Sequence, residues 1–87
     1  MAYTINNTAG TTLKVLADGT IDTATTDLTL IGKGYAGFGE RLNENFVKLL
    51  ENFANTTEPA NKIKGQLWYD SLTNQINIYT GNKFKPV

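Results

Sequence analysis

The stretch from Thr29 to Phe46, "TLIGKGYAGFGERLNENF", decides how the rest of the chain is read. Gly32, Gly34 and Gly37 carry the spacing G-x-G-x-x-G, with an apolar run before them and a helix-like pattern after them. The same letters serve a dinucleotide cradle or a sheet-to-helix bend, and context separates the two. A cradle requires a parallel strand before the glycines, a crossover helix, a second parallel strand and an acidic residue about 20 positions on. Here the helical pattern runs toward Pro59, antiparallel hairpin signals follow, and Glu51 and Glu58 fall in the helix and its exit loop. No lysine followed by Ser or Thr closes the glycine run, so the Walker phosphate loop is absent too. The expectation is a structural bend over 32–39, in which Gly32, Gly34, Gly37 and Gly39 turn the backbone. Tyr35 and Phe38, between them, are expected to pack on the core or on a partner.

Before the bend, residues 1–31 read as β-rich. Tyr3 and Ile5 alternate with polar neighbours, "NNTAGT" turns the chain, and Leu13 and Val15 alternate again. Asp18-Gly19 is a two-residue hairpin signal with Ile21 on the return strand, and Leu28, Leu30 and Ile31 form a further short strand. After the bend the apolar period becomes helical over 40–55. Leu42, Phe46, Leu49, Leu50 and Phe53 share one stripe, Glu40 suits the positive helix end, and Glu44 with Lys48 has the favourable i, i+4 order. Pro59 stops the helix, and 56–64 is a loop. The last segment, 65–87, returns to strands: Leu67 to Asp70, a turn at "SLTN", Gln75 to Tyr79, a turn at Gly81-Asn82, then Lys83 to Lys85. Ile76 and Ile78 fall on one face of it, Asn77 and Tyr79 on the other. Such a meander is too small to stand alone, so the helix stripe is expected to cover it; packing in trans as a coiled coil is the alternative, disfavoured because the stripe lasts barely two heptads. The chain is thus expected to be one α+β domain over 1–87.

Composition narrows the chemistry. Among 87 residues there is no cysteine and no histidine, which removes disulfides, thiolate ligands, the commonest general base and the commonest transition-metal ligand. Eight basic and eight acidic residues cancel, so no broad electrostatic footprint for nucleic acid or an anionic membrane is implied. The opening "MAYTINNTAG" lacks the basic and apolar segments of a secretory signal, and no apolar run approaches the ~20 residues that span a bilayer. A soluble chain made without an export signal is expected. Asp18, Asp22 and Asp27 lack the ligand spacing of a calcium loop and read as solvated turn acids. Ser71, the single serine, has no histidine to activate it, and Asp70 is expected to cap its turn. No catalytic, cofactor or metal residue emerges, and no enzyme is expected. Lys62, Lys64, Lys83 and Lys85 near Trp68 and Tyr79 form the alternative, a small nucleic-acid-binding module working by charge and stacking. Zero net charge weighs against it, and Trp68 reads as core or interface.

The bend Gly34 to Glu40, "GYAGFGE", the helix "LNENFVKLLENFA" and the meander "GQLWYD…TNQ…IYTG" together resemble a module of virion structural proteins in contractile-tailed bacteriophages, especially T-even-like fibre and fibre-like proteins. The opening "YTINNTAGTTLKVLADGTID" also fits, so the resemblance covers nearly the whole chain. It implies a non-enzymatic building block at the virion-facing end of a fibre, whisker or decoration protein. It further implies self-association, commonly three-fold, and docking on other virion proteins of tail, neck or capsid, with no small-molecule substrate and no membrane. The interface candidates are Tyr35 and Phe38 in the bend and Trp68 and Tyr79 on the meander, because a few large aromatics dominate interface energies.

Overall fold

Alternating apolar spacing becomes three small antiparallel sheets in the computed structural model, which describes residues 1–87. Strands β1 (Tyr3–Asn6) and β2 (Thr12–Leu16) pair with Tyr3 opposite Leu16 and an irregularity at Ile5/Asn6. The Asn7 side chain closes the intervening turn by accepting the Thr11 N–H at 2.9 Å. Strands β3 (Ile21–Asp22) and β4 (Leu30–Ile31) form a second ladder of two residue pairs. The Asp18-Gly19 turn forms, with Gly19 at φ 74 and the Thr20 hydroxyl donating to the Ala17 carbonyl at 2.6 Å. Its return strand does not pair with β2, however. The Gly19 N–H donates to Lys33 and the Gly32 N–H to Thr20, each at 2.7 Å, which draws the segment onto β4 instead.

The bend performs its expected role with a different division of labour. A Cβ on the buried Gly32 would stand 2.5 Å from the Ala17 carbonyl oxygen and 2.7 Å from that of Thr20, so close approach demands glycine there. Gly34 and Gly37 take left-handed φ values of 74 and 90, and Gly37 caps helix α1 (Phe38–Leu50). Gly39 does not share the role: it lies in the first helical turn without positive φ. The helix starts two residues before the expected position 40, because the chain has completed its reversal by Gly37.

It also stops earlier than 55. Asn52 and Phe53 adopt φ values of 52 and 56. The Phe53 N–H reaches back to Lys48 at 2.9 Å and the Asn52 N–H to Leu49 at 3.1 Å, a pattern that satisfies the last carbonyls and ends a helix. Asparagine tolerates the left-handed turn, so termination happens well before Pro59.

Strands β5 (Leu67–Asp70), β6 (Gln75–Tyr79) and β7 (Phe84–Pro86) form the expected meander. Asp70 caps its turn by accepting the Leu72 N–H at 3.0 Å, as expected. The helix exit extends this sheet: Tyr69 N–H donates to Asn52, Asn55 N–H to Tyr69 and Ser71 N–H to Asn55, giving a parallel bridge between Asn55 and Asp70.

The expected cover of helix over meander is not formed. The packing of α1 is chiefly on β4, and none of its residues is buried. Four residues of 87 are buried in the whole chain, and Leu16 is the one large apolar side chain among them. The reason lies on the polar side of α1. Asn45 makes reciprocal bonds with the backbone of Thr29, accepting its N–H at 2.9 Å and donating to its carbonyl at 2.8 Å, while Lys48 donates to the Asp27 carbonyl at 3.2 Å. Polar groups clasp the helix to 27–29, and its apolar stripe is left uncovered. The fold is thin and extended, 43 × 27 × 16 Å, with a radius of gyration of 14.0 Å. A compact domain of this length has about 12 Å.

Candidate interaction surface

At 3.6 residues per turn, Phe38, Leu42, Phe46, Leu49 and Leu50 of α1 fall within an arc of about 120°. Every one of them is exposed, from 38% for Leu42 to 82% for Leu50. Asn45 and Lys48 occupy the adjoining sector that meets 27–29. The expected Glu44–Lys48 pair is absent, since Lys48 is engaged with Asp27 and Glu44 lies 3.5 Å from Arg41. Interaction with the Tyr35 side chain, and then with Glu44, raises the Arg41 pKa above its ordinary value. Tyr35 is half-buried and belongs to the base of the helix, whereas Phe38 opens the apolar stripe.

Beside the stripe lies an apolar groove of about 450 Å³, walled by Leu13, Leu28, Leu30, Leu49, Ile63 and Leu67. Its polar seam is Asp27. One carboxylate oxygen accepts the Asn61 N–H at 3.0 Å and the other accepts from the Gln66 amide at 2.9 Å. These bonds tie the N-terminal segment to the loop that enters the meander, across sequence separations of 34 and 39 residues. The halves of the molecule are therefore joined by hydrogen bonds around a groove, not by a packed apolar layer.

The meander register places Leu67, Tyr69, Ile76 and Ile78 on one face. Trp68, Asn77, Tyr79 and Phe84 fall on the other. The Trp68 and Phe84 rings meet edge-on at 5.2 Å and the Tyr79 and Phe84 rings at 5.1 Å. All three aromatics are half-buried, and Asn77 beside them is buried, donating to the Gln75 carbonyl at 3.0 Å. Trp68 also donates to the Asn55 carbonyl at 3.2 Å. Lys62 lies 5.8 Å from the Tyr79 ring centre and is bonded to Glu58 at 2.9 Å, which raises its pKa above the ordinary lysine value.

Of the four interface candidates, Trp68 and Tyr79 thus share one cluster, completed by Phe84, while Tyr35 and Phe38 stand at the start of the helix. The stripe residues Leu42, Phe46, Leu49 and Leu50 are recognisable from their period but are exposed where cover by the meander was expected. The three aspartates do not converge: Asp18 holds the chain's amino terminus at 2.7 Å, Asp22 lies 3.5 Å from Lys14, and Asp27 holds Asn61 and Gln66. The Asp22 carboxylate accepts the Thr25 N–H at 2.7 Å and the Ala24 N–H at 3.0 Å, and the Thr25 bond above all lowers its pKa from 3.8. No group of three or more ligating side chains gathers where a metal could sit. No helix is long and apolar enough to cross a membrane. No family model, curated protein or solved structure matches this chain.

Proposed function

We propose that the chain is a non-enzymatic structural module of a bacteriophage virion, a fibre, whisker or decoration element that self-associates as a trimer and docks on neighbouring virion proteins. The observation that carries the assembly reading is the scarcity of core: one buried large apolar side chain beside an uncovered apolar helix stripe. Such an arrangement suits a protein whose remaining burial is supplied by other chains. The resemblance of the bend, helix and meander segments to phage fibre proteins supplies the biological setting. The nucleic-acid alternative draws on Lys62, Lys64, Lys83 and Lys85 beside Trp68 and Tyr79. Glu58 neutralises Lys62, and Trp68 and Tyr79 are engaged with Phe84, which leaves little of the stacking platform that single strands use. Light scattering over a range of concentrations tests the proposal. A mass near three times that of the 9.5 kDa chain is expected. A strict monomer that binds single-stranded DNA in low salt, with affinity falling steeply as salt rises, would replace the assembly reading with its rival.

A further inference from the structure

Three observations, one on the whole chain and two on α1, point to a particular occupant for the uncovered stripe of the helix. The first is area. The chain exposes 5810 Å², whereas a folded monomer of this mass exposes about 5,050 Å² by the scaling of surface with size. The surplus of roughly 760 Å² is close to the ~800 Å² that each partner loses in a standard protein–protein interface. The second is spacing. Leu42, Phe46 and Leu49 recur at intervals of four and three, the seam of a helix that packs lengthwise on another helix. The third is charge. Beside the seam stand Phe38, Asn43, Asn45 and Leu50, so no charge borders it, and the charged residues Glu40, Arg41, Glu44 and Lys48 lie outside it.

We infer that the occupant is the same stripe of further copies of this chain, so that α1 helices meet lengthwise through Leu42, Phe46 and Leu49. Uncharged flanks let identical copies approach without like-charge repulsion, and the chain's zero formal net charge imposes none at longer range. A lipid surface fits less well, since helices that lie on membranes carry a polar face rich in lysine and arginine, and here two acidic residues offset two basic ones. The Asn45 and Lys48 bonds to 27–29 hold the stripe outward, so meeting a partner requires no rotation of the helix. This inference rests on the self-association proposed above and names the surface responsible.

The absence of native cysteine makes the test direct. Leu42→Cys and Val47→Cys are each made in the full chain and oxidised. Val47 is exposed at 52% yet lies outside the seam, on the other side of the helix. Rapid disulfide-linked dimer from Leu42→Cys, at least tenfold faster than from Val47→Cys, is expected. In parallel, Phe46→Glu is expected to sediment as a monomer and Val47→Glu to retain the wild-type mass, each with wild-type helix content by circular dichroism. Equal cross-linking from both cysteines, in a wild-type chain that does associate, would overturn the helix seam and leave the assembly reading standing. A wild-type chain that stays monomeric, whether or not vesicles bind its stripe, would overturn both.

Discussion

The C-terminal sheet and the helix are built on opposite terms. In the sheet, neighbouring strands are joined by short turns, the ladder satisfies the backbone, and Trp68, Tyr79 and Phe84 cover one another within one face. In the helix, the backbone is satisfied internally, the polar sector is anchored through Asn45 and Lys48, and the apolar sector faces outward. One region completes its packing locally; the other leaves its apolar sector exposed. Hydrogen bonds thus position α1 in the single chain, whereas hydrophobic burial contributes little to it there. An apolar stripe identifies one face of a helix, but it does not say what that face meets.

The bend should give the largest effect, because it joins β4 to α1 and packs against the 17–20 turn. Gly32→Val places side-chain carbon against the carbonyls of Ala17 and Thr20 and is expected to destabilise the chain by about 3 kcal/mol or more in a urea melt. A loss below about 1 kcal/mol would show that the 17–20 turn moves aside readily. Next comes the contrast between regions. Trp68→Ala is expected to lose about 2 kcal/mol, roughly half the penalty of a fully buried aromatic, while Phe46→Ala in dilute solution loses less than about 0.5 kcal/mol. Equal losses would erase the distinction between a completed and an uncompleted region.

Much of this contrast is visible in the residues themselves. The α+β class, the meander with its turns at "SLTN" and Gly81-Asn82, and the Asp70 cap follow from local chemistry, since strand alternation and turn residues act over a few positions. The end of the helix is less legible: Pro59 is the obvious breaker, yet Asn52 in a left-handed turn ends α1 at Leu50. The pairing of β3 with β4 instead of β2 depends on backbone bonds from Gly19 and Gly32, which the letters Asp18-Gly19 do not encode. For the candidate surface, the apolar period of α1 was legible and its exposure was not. Exposure follows from which side chains find a backbone partner, here Asn45 with Thr29, and that pairing spans 16 residues.

The anchor itself gives the next prediction. Asn45→Ala removes both bonds to Thr29 and leaves an N–H and a carbonyl of a half-buried strand approach unpartnered, a loss of about 1–2 kcal/mol by denaturant melt. Protection of α1 amides from hydrogen exchange should fall with it, while protection of β5 and β6 stays unchanged. Protection lost equally in both regions would show that they unfold as one unit. The smallest effect concerns acid. The Asp22 pKa is lowered from 3.8 by its bonds to Thr25 and Ala24, so its contribution to stability is fully present well above pH 3.8 and is lost as the pH falls through the lower folded value. Asp22→Asn should flatten the acid side of the stability curve below about pH 4; an unchanged acid limb would remove Asp22 from the account.

The central claim, that packing of the chain is completed by other copies of itself, is tested most directly by the concentration dependence of its thermal unfolding. Burial between copies stabilises the assembled folded state by mass action, so the midpoint is expected to climb by several degrees from about 1 μM to about 1 mM. Phe46→Glu should remove that climb. A wild-type midpoint that does not move across the thousand-fold range would contradict the account.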